Sequence, residues 1–472
     1  MPADLDEMFA DLSRDGDTVP VAPAEAARRH GARRSRNRAV AAALATLLVI
    51  TGVGAAAWQR GHRTEPILPA TPNSPIRGLE PLGEPLDAGA NRYWAYPAIE
   101  DGRLFAVSLP TGAGVDARPN RGVAIDERNG DVLWTTPDEL GATDVPVPIP
   151  GTVLLREAAT RPVIHMLDPA TGSERWSLRH ELDDDLVFHP DVLVRVHAAG
   201  GTTEGLDMRT GRRLWSAAGD VDRPRFTAGI RAADGTRRWS LAGHEEFSDG
   251  YMFQQLTSGR MLIRDVRSGE VRNRIAKVLN SQSGITMVHD GTVAWPVGDE
   301  IRVAPLGDDS ASRVLYTLGP GREPQNLFGC GPGRICVTDS ESRISAVDVA
   351  SARVLWSAPA VIGSGGTSRA GRTITTDGRG AMLRDDSGRA LSEGQGTSGW
   401  VDDGNVLVFG PRVDGAGMMT VTVVSAVDGT RTVLGTVPSG STASGGRNNC
   451  AWSTGTLACM DGARLIRYRF VR

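Results

Sequence analysis

The chain almost lacks lysine. Lys277 is the one lysine among 52 basic residues, and 56 acids oppose them, for a formal net charge of −4. The arginines are scattered and balanced by acids, which excludes the one-signed basic surface of a nucleic-acid binder. Aromatic residues make up 5%. Cysteines number four, none adjacent, and no CxxC or CxxCH occurs, so neither a zinc-finger pair nor a c-type haem attachment is encoded. There is no GxxxxGK[ST] phosphate loop and no GxSxG elbow. After residue 58 no long helical pattern appears. What is abundant is glycine, with 57 residues, as expected for many short strands joined by tight turns.

The one long uncharged run is Ala39–Trp58. As a helix it would measure about 30 Å, enough to cross a bilayer. Arg28, Arg29, Arg33, Arg34, Arg36 and Arg38 precede it, against Arg60 and Arg63 after it. The positive-inside rule then places residues 1–38 in the cytoplasm and the rest outside, in a single-pass plasma-membrane topology. A cleaved signal peptide is the rival reading, because Ala55-x-Ala57 resembles a cleavage site. The Arg33-Arg34 pair is a poor match to a twin-arginine signal. The tail carries Asp4, Asp6, Glu7, Asp11, Asp15 and Asp17, with Leu5, Met8, Phe9 and Leu12 at helical spacing. It reads either as a disordered tail or as a short docking helix. Residues 59–90 hold six prolines between Pro66 and Pro85 and are expected to form an extended spacer. All four cysteines lie beyond the span. Proximity favours disulfides Cys330–Cys336 and Cys450–Cys459 among the three pairings.

From residue 91 to 472 a phrase recurs. It runs Asp126…Gly130…Trp134, Asp168…Gly172…Trp176, Asp207…Gly211…Trp215 and Asp348…Ala352…Trp356. An acid is followed four residues later by a small residue, and Trp comes four after that. Asp-Gly pairs at 101, 234, 249, 290, 377, 403, 414, 428 and 461 punctuate the chain as hairpin turns do. Short strands at a period near 40 residues predict an all-β propeller of four-stranded blades. Blade-ending strands are expected near Trp134, Trp176, Trp215, Asn273, Tyr316, Trp356, Leu391 and Val433. That gives eight blades, with seven as the alternative. Counting the C-terminal strands gives nine, with 361–395 the weakest segment. Residues 223–242 look like an inserted hairpin. The strands at 456–460 and 464–470 are expected to pair with Tyr93–Tyr96 and close the ring.

Ala-x-Asp-x-x-Thr-Gly-x-x-x-Trp resembles the tryptophan-docking repeat of the PQQ-like propellers, in their membrane-anchored bacterial form. Asp168–Trp176, Asp207–Trp215 and Asp348–Trp356 carry it best, with Ala346 at the leading alanine. The resemblance implies that each Trp packs between adjacent blades. The residues agree: Gly tolerates a left-handed turn, Asp can accept turn amides, and a buried Trp can remove up to about 250 Å² from water. These Asp, Gly and Trp positions are therefore read as structural. The enzymes of that family bind pyrroloquinoline quinone and calcium beside a vicinal disulfide, which this chain lacks, so the dehydrogenase reading stands as the alternative. No catalytic, cofactor-binding or metal residue is assigned and no cofactor is expected. His180, His189 and His197 with Glu181, Asp183, Asp184 and Asp185 suggest a metal site only in outline, since an acidic loop run is usually just solvated. The expectation is an extracytoplasmic binding or scaffolding module. It would be membrane-bound through one helix, and its ligand would be an envelope protein, a glycan or a small molecule.

Overall fold

In the computed structural model the chain is described from residue 73 to 472, apart from 112–119, 137–145, 158–161, 220–221, 231–244, 277–284, 361–364, 377–379, 414–416 and 440–448. The expected cytoplasmic tail and the apolar run at 39–58 lie outside these residues. Among the described residues no helix is long and apolar enough to cross a membrane.

Nine sheets are present among the described residues, antiparallel but for one added strand. Eight follow one another along the chain, the third and fourth interleaved at Glu245–Phe247. They begin at Arg92, Val147, Asp185, Pro224, Met287, Pro324, Gly365 and Thr397. Blade 1, for example, runs Arg92–Glu100, Arg103–Pro110, Arg121–Asp126 and Val132–Thr135. The first strands of successive sheets approach one another, which puts them at the ring axis and the fourth strands at the rim. Middle strands carry apolar residues on both faces because the neighbouring blades cover them. Leu104, Ala106, Val153, Leu155, Ile335 and Val347 are all at most 1% exposed.

The ring has nine blades rather than eight or seven. The segment 361–395 forms a complete sheet, Gly365–Arg369, Arg372–Thr376, Gly380–Arg384 and Ala390–Gln395. The ninth sheet escaped the sequence count because it is discontinuous. Cys450–Trp452, Thr456–Asp461 and Arg464–Val471 are completed by Gly78–Pro81, which pairs Gly78 with Val471 and Pro81 with Tyr468. Leu86–Asp87 pairs further along the same C-terminal strand. Residues 78–87, expected in the spacer, therefore belong to the ring. Proline is tolerated in that outer strand because its missing N–H faces away from the ladder. The expected closure through Tyr93–Tyr96 is likewise corrected. Those residues lie in the first strand of blade 1, paired with Arg103–Pro110.

The expected insertion at 223–242 is also displaced. Pro224–Ile230 is the first strand of blade 4. The extra chain follows it, and Glu245–Phe247 adds in parallel to the axial edge of blade 3, opposite Leu186–Phe188. Residues 234–239 lie outside the described residues.

Candidate functional site

The recurring phrase builds the seams between blades. Trp134 sits on the outer strand of blade 1 and donates its indole N–H to the Pro169 carbonyl of blade 2 at 3.0 Å. A Cβ on Gly172 would stand 2.6 Å from that ring, so the turn needs glycine for close approach as well as for its φ of +69°. The relation repeats. Trp176 donates to Met208 at 2.9 Å over Gly211, where a Cβ would lie 2.7 Å away. Trp215 donates to Val266 at 3.0 Å and Trp356 to Asp386 at 3.0 Å, each over the next blade's turn glycine. In every case the acceptor follows the phrase aspartate of the next blade. A tryptophan of one copy is thus clasped by the Asp…Gly turn of the following copy.

The aspartates shape those turns. Asp126 Oδ1 accepts the amides of Arg128 at 2.9 Å and Asn129 at 3.1 Å. Asp168 Oδ1 accepts Ala170 and Thr171 at 2.8 and 3.0 Å, and its other oxygen pairs with Arg175. The Thr210 hydroxyl and amide, with the Arg209 amide, hold the Asp207 carboxyl below its ordinary value against the opposing effect of burial. The Ser351 hydroxyl and amide lower Asp348 in the same way. A carboxylate with a depressed folded-state pKa stabilises the fold fully above the unfolded value, and that stability is lost as pH falls through the folded pKa. Melting temperature should therefore fall on acidification below about 3.8. Asp207→Asn should flatten that slope, and a slope identical to the parent's would contradict the assignment.

Where the phrase degrades, other side chains take over. Asn273, fully buried, donates to the Pro305 carbonyl at 3.0 Å and accepts the Gly307 amide at 2.8 Å. Arg313 donates to the Val349 carbonyl. Ala352 holds the glycine position of its turn at φ 56°, a strained conformation for a residue with a Cβ. Ala352→Gly is expected to raise unfolding stability by about 1 kcal/mol. Urea denaturation checks this, and a loss of stability would refute it.

At the closing seam Arg467 of blade 9 takes the place of Trp over Gly130, with its Nη2 toward the Asn129 carbonyl at 3.4 Å. Asp126 and Asp131 favour its charge, while burial pulls its pKa below the usual value. Three tryptophans missed by the repeat reading bridge the seams around blades 7, 8, 9 and 1 from the axial strands. Trp400 donates to Thr367 Oγ1, Trp452 to the Trp400 carbonyl and Trp94 to the Leu86 carbonyl, each at 3.0 Å. In blade 7 the register puts Ser392 where Trp stands elsewhere. A small cleft remains there, lined by Ile374, Leu383, Val406, Val408 and Arg431.

Both cysteine pairs are joined. Cys450 and Cys459 face each other across the first hairpin of blade 9, with Cα atoms 4.1 Å apart. Cys330–Cys336 clamps the first hairpin of blade 6. The histidine and acid run at 180–197 is separated by its partners. His180 Nδ1 meets the Glu181 carbonyl at 2.9 Å, and His189 Nδ1 accepts the Asp191 amide at 3.0 Å. His197 pairs with Glu204, and Asp184 with Arg195. Among the described residues no group of three or more His, Cys, Asp or Glu converges as metal ligands.

A closed ring of four-stranded blades joined by Asp…Gly…Trp seams defines a β-propeller. A family model described as outer membrane protein assembly factor BamB matches residues 119–293, under half of the chain. Among solved structures, the computationally designed Ika8 protein is similar at 14% identity and a TM-score of 0.43, over 74% of this chain and 97% of that one. BamB from Moraxella catarrhalis is similar at 13% identity and a TM-score of 0.41, over 83% of this chain and all of the other. No curated protein sequence matches.

Proposed function

We propose that the protein is a membrane-anchored extracytoplasmic propeller that binds or scaffolds another component of the cell envelope without catalysing a reaction. The observation that carries this reading is the use of the repeat residues. Every phrase Trp, with its partner Gly and Asp, is engaged in a seam, which leaves recognition to the connections between sheets. The two disulfides suit an oxidising compartment. The description of the matching family model, an assembly factor of the outer membrane, favours an envelope protein as the partner over a glycan or a small molecule.

The test is chemical crosslinking in intact cells followed by affinity capture of the full chain. One envelope protein should be enriched over a crosslinked control, and repeated failure to enrich any overturns the scaffold reading. Alkaline phosphatase fused after residue 72 should be active. An inactive fusion reverses the topology.

A further inference from the structure

The two edges of the ring are unlike. Successive turns of an antiparallel sheet lie at opposite ends of its strands. The turns joining strands one to two and three to four of each blade therefore share one face. The connections from two to three, and from blade to blade, share the other. The first face is built mostly of tight turns, among them Asp101-Gly102, Pro150-Gly151, Asp290-Gly291 and Asp403-Gly404, and of the aspartate turns; the long link from Ile230 to Tyr251 in blade 4 is the exception. The second carries the longer links, such as Thr135 to Val147 and Pro438 to Cys450.

The N-terminal end of the described chain is fastened to the tight-turn face. The Asp403 amide donates to Asn73 Oδ1 at 3.1 Å. The Ser74 carbonyl accepts Asn405 Nδ2 at 3.0 Å and Arg472 Nη1 at 2.8 Å. Ile76, 1% exposed, is packed among Val401, Leu407, Trp452 and Phe470 between blades 8 and 9. The chain is thus pinned at one point of that face, beside the first hairpin of blade 8.

We propose that the tight-turn face is the membrane-proximal face of the ring, lying over the lipid headgroup surface, and that the long-link face is turned away from the bilayer toward partners. This rests on the anchored reading of residues 39–58. Residues 59–72 number fourteen and could reach at most about 50 Å. A link of that reach leaving the tight-turn face places that face nearer the bilayer than its opposite.

The experiment uses the full chain in lipid nanodiscs carrying an energy-transfer acceptor on the headgroups. A donor dye is attached at Val427→Cys, on an exposed tight turn of blade 8, or at Ala463→Cys, on an exposed long-face turn of blade 9. The two sites lie on the same side of the ring, so they differ chiefly in face. Transfer should be several-fold stronger from position 427. Equal or stronger transfer from position 463, in protein that resists carbonate extraction, overturns the orientation and leaves the anchoring intact. Release of the chain by carbonate overturns the anchoring, and the orientation with it.

Discussion

Replacing Arg472 by alanine is expected to lower unfolding stability by about 3–5 kcal/mol at neutral pH, because it strands a buried carboxylate. The Arg472 guanidinium meets Asp402 Oδ2 at 2.5 Å, with the two side chains only 8% and 3% exposed. The same guanidinium donates to the carbonyls of Ser74 and Thr454, each at 2.8 Å. One residue therefore ties together blade 8, blade 9 and the chain entering the closing strand. The double variant Asp402→Asn with Arg472→Met should recover much of the loss, since no buried charge is then left alone. Chemical denaturation of the parent, single and double variants checks this. A single variant within 1 kcal/mol of the parent would refute the pin.

Trp134→Ala should cost about 3–5 kcal/mol, the range for a large aromatic lost from a core. Trp134 is 7% exposed and packs with Phe105, Val153, Leu155 and Leu167, which come from blades 1 and 2. Its ring lies 6.1 Å from that of Phe105. Trp134→Phe keeps most of the packing but loses the bond to Pro169, so it should cost about 1 kcal/mol beyond the smaller apolar loss. Differential scanning calorimetry on both variants separates the two contributions. If alanine and phenylalanine behave alike, the indole does not hold the seam.

The rim of the ring was legible in the sequence because its chemistry is local. Trp134, Trp176, Trp215, Asn273, Tyr316, Trp356, Leu391 and Val433 all fall in the last strands of eight successive sheets. A turn needs its Asp and Gly within a few residues, so the pattern shows in a short window. The same locality gave the disulfide pairs, each spanning one hairpin. What was hidden depends on distant pairing. Gly-Leu-Glu-Pro at 78–81 has no strand signature of its own and becomes a strand only against Tyr468–Val471. Arg467 looks like any other arginine until Gly130 is placed beneath it. Trp94, Trp400 and Trp452 follow no shared phrase because their acceptors differ: a hydroxyl and two carbonyls. The parallel strand at Glu245–Phe247 crosses to a neighbouring blade, and no periodicity records such a move.

The shared ninth sheet also sets the order in which the molecule can be finished. Glu80 and Arg469 meet across 389 positions. During synthesis the strands that complete the ring emerge after those of the other eight blades, while their partner has been waiting since before the first blade. The entropy of closing so long a loop grows only logarithmically with its length, so equilibrium tolerates the arrangement. Kinetics is less forgiving, because until those last strands arrive the growing sheet stack has two open ends that can pair with the wrong neighbour. A premature stop that removes Arg464–Val471 would leave Gly78–Pro81 without its ladder and the stack open, however well the other eight sheets had formed. Ring completion is thus the last step in forming the propeller, and products cut short of it should go to proteolysis in place of accumulating as shorter propellers.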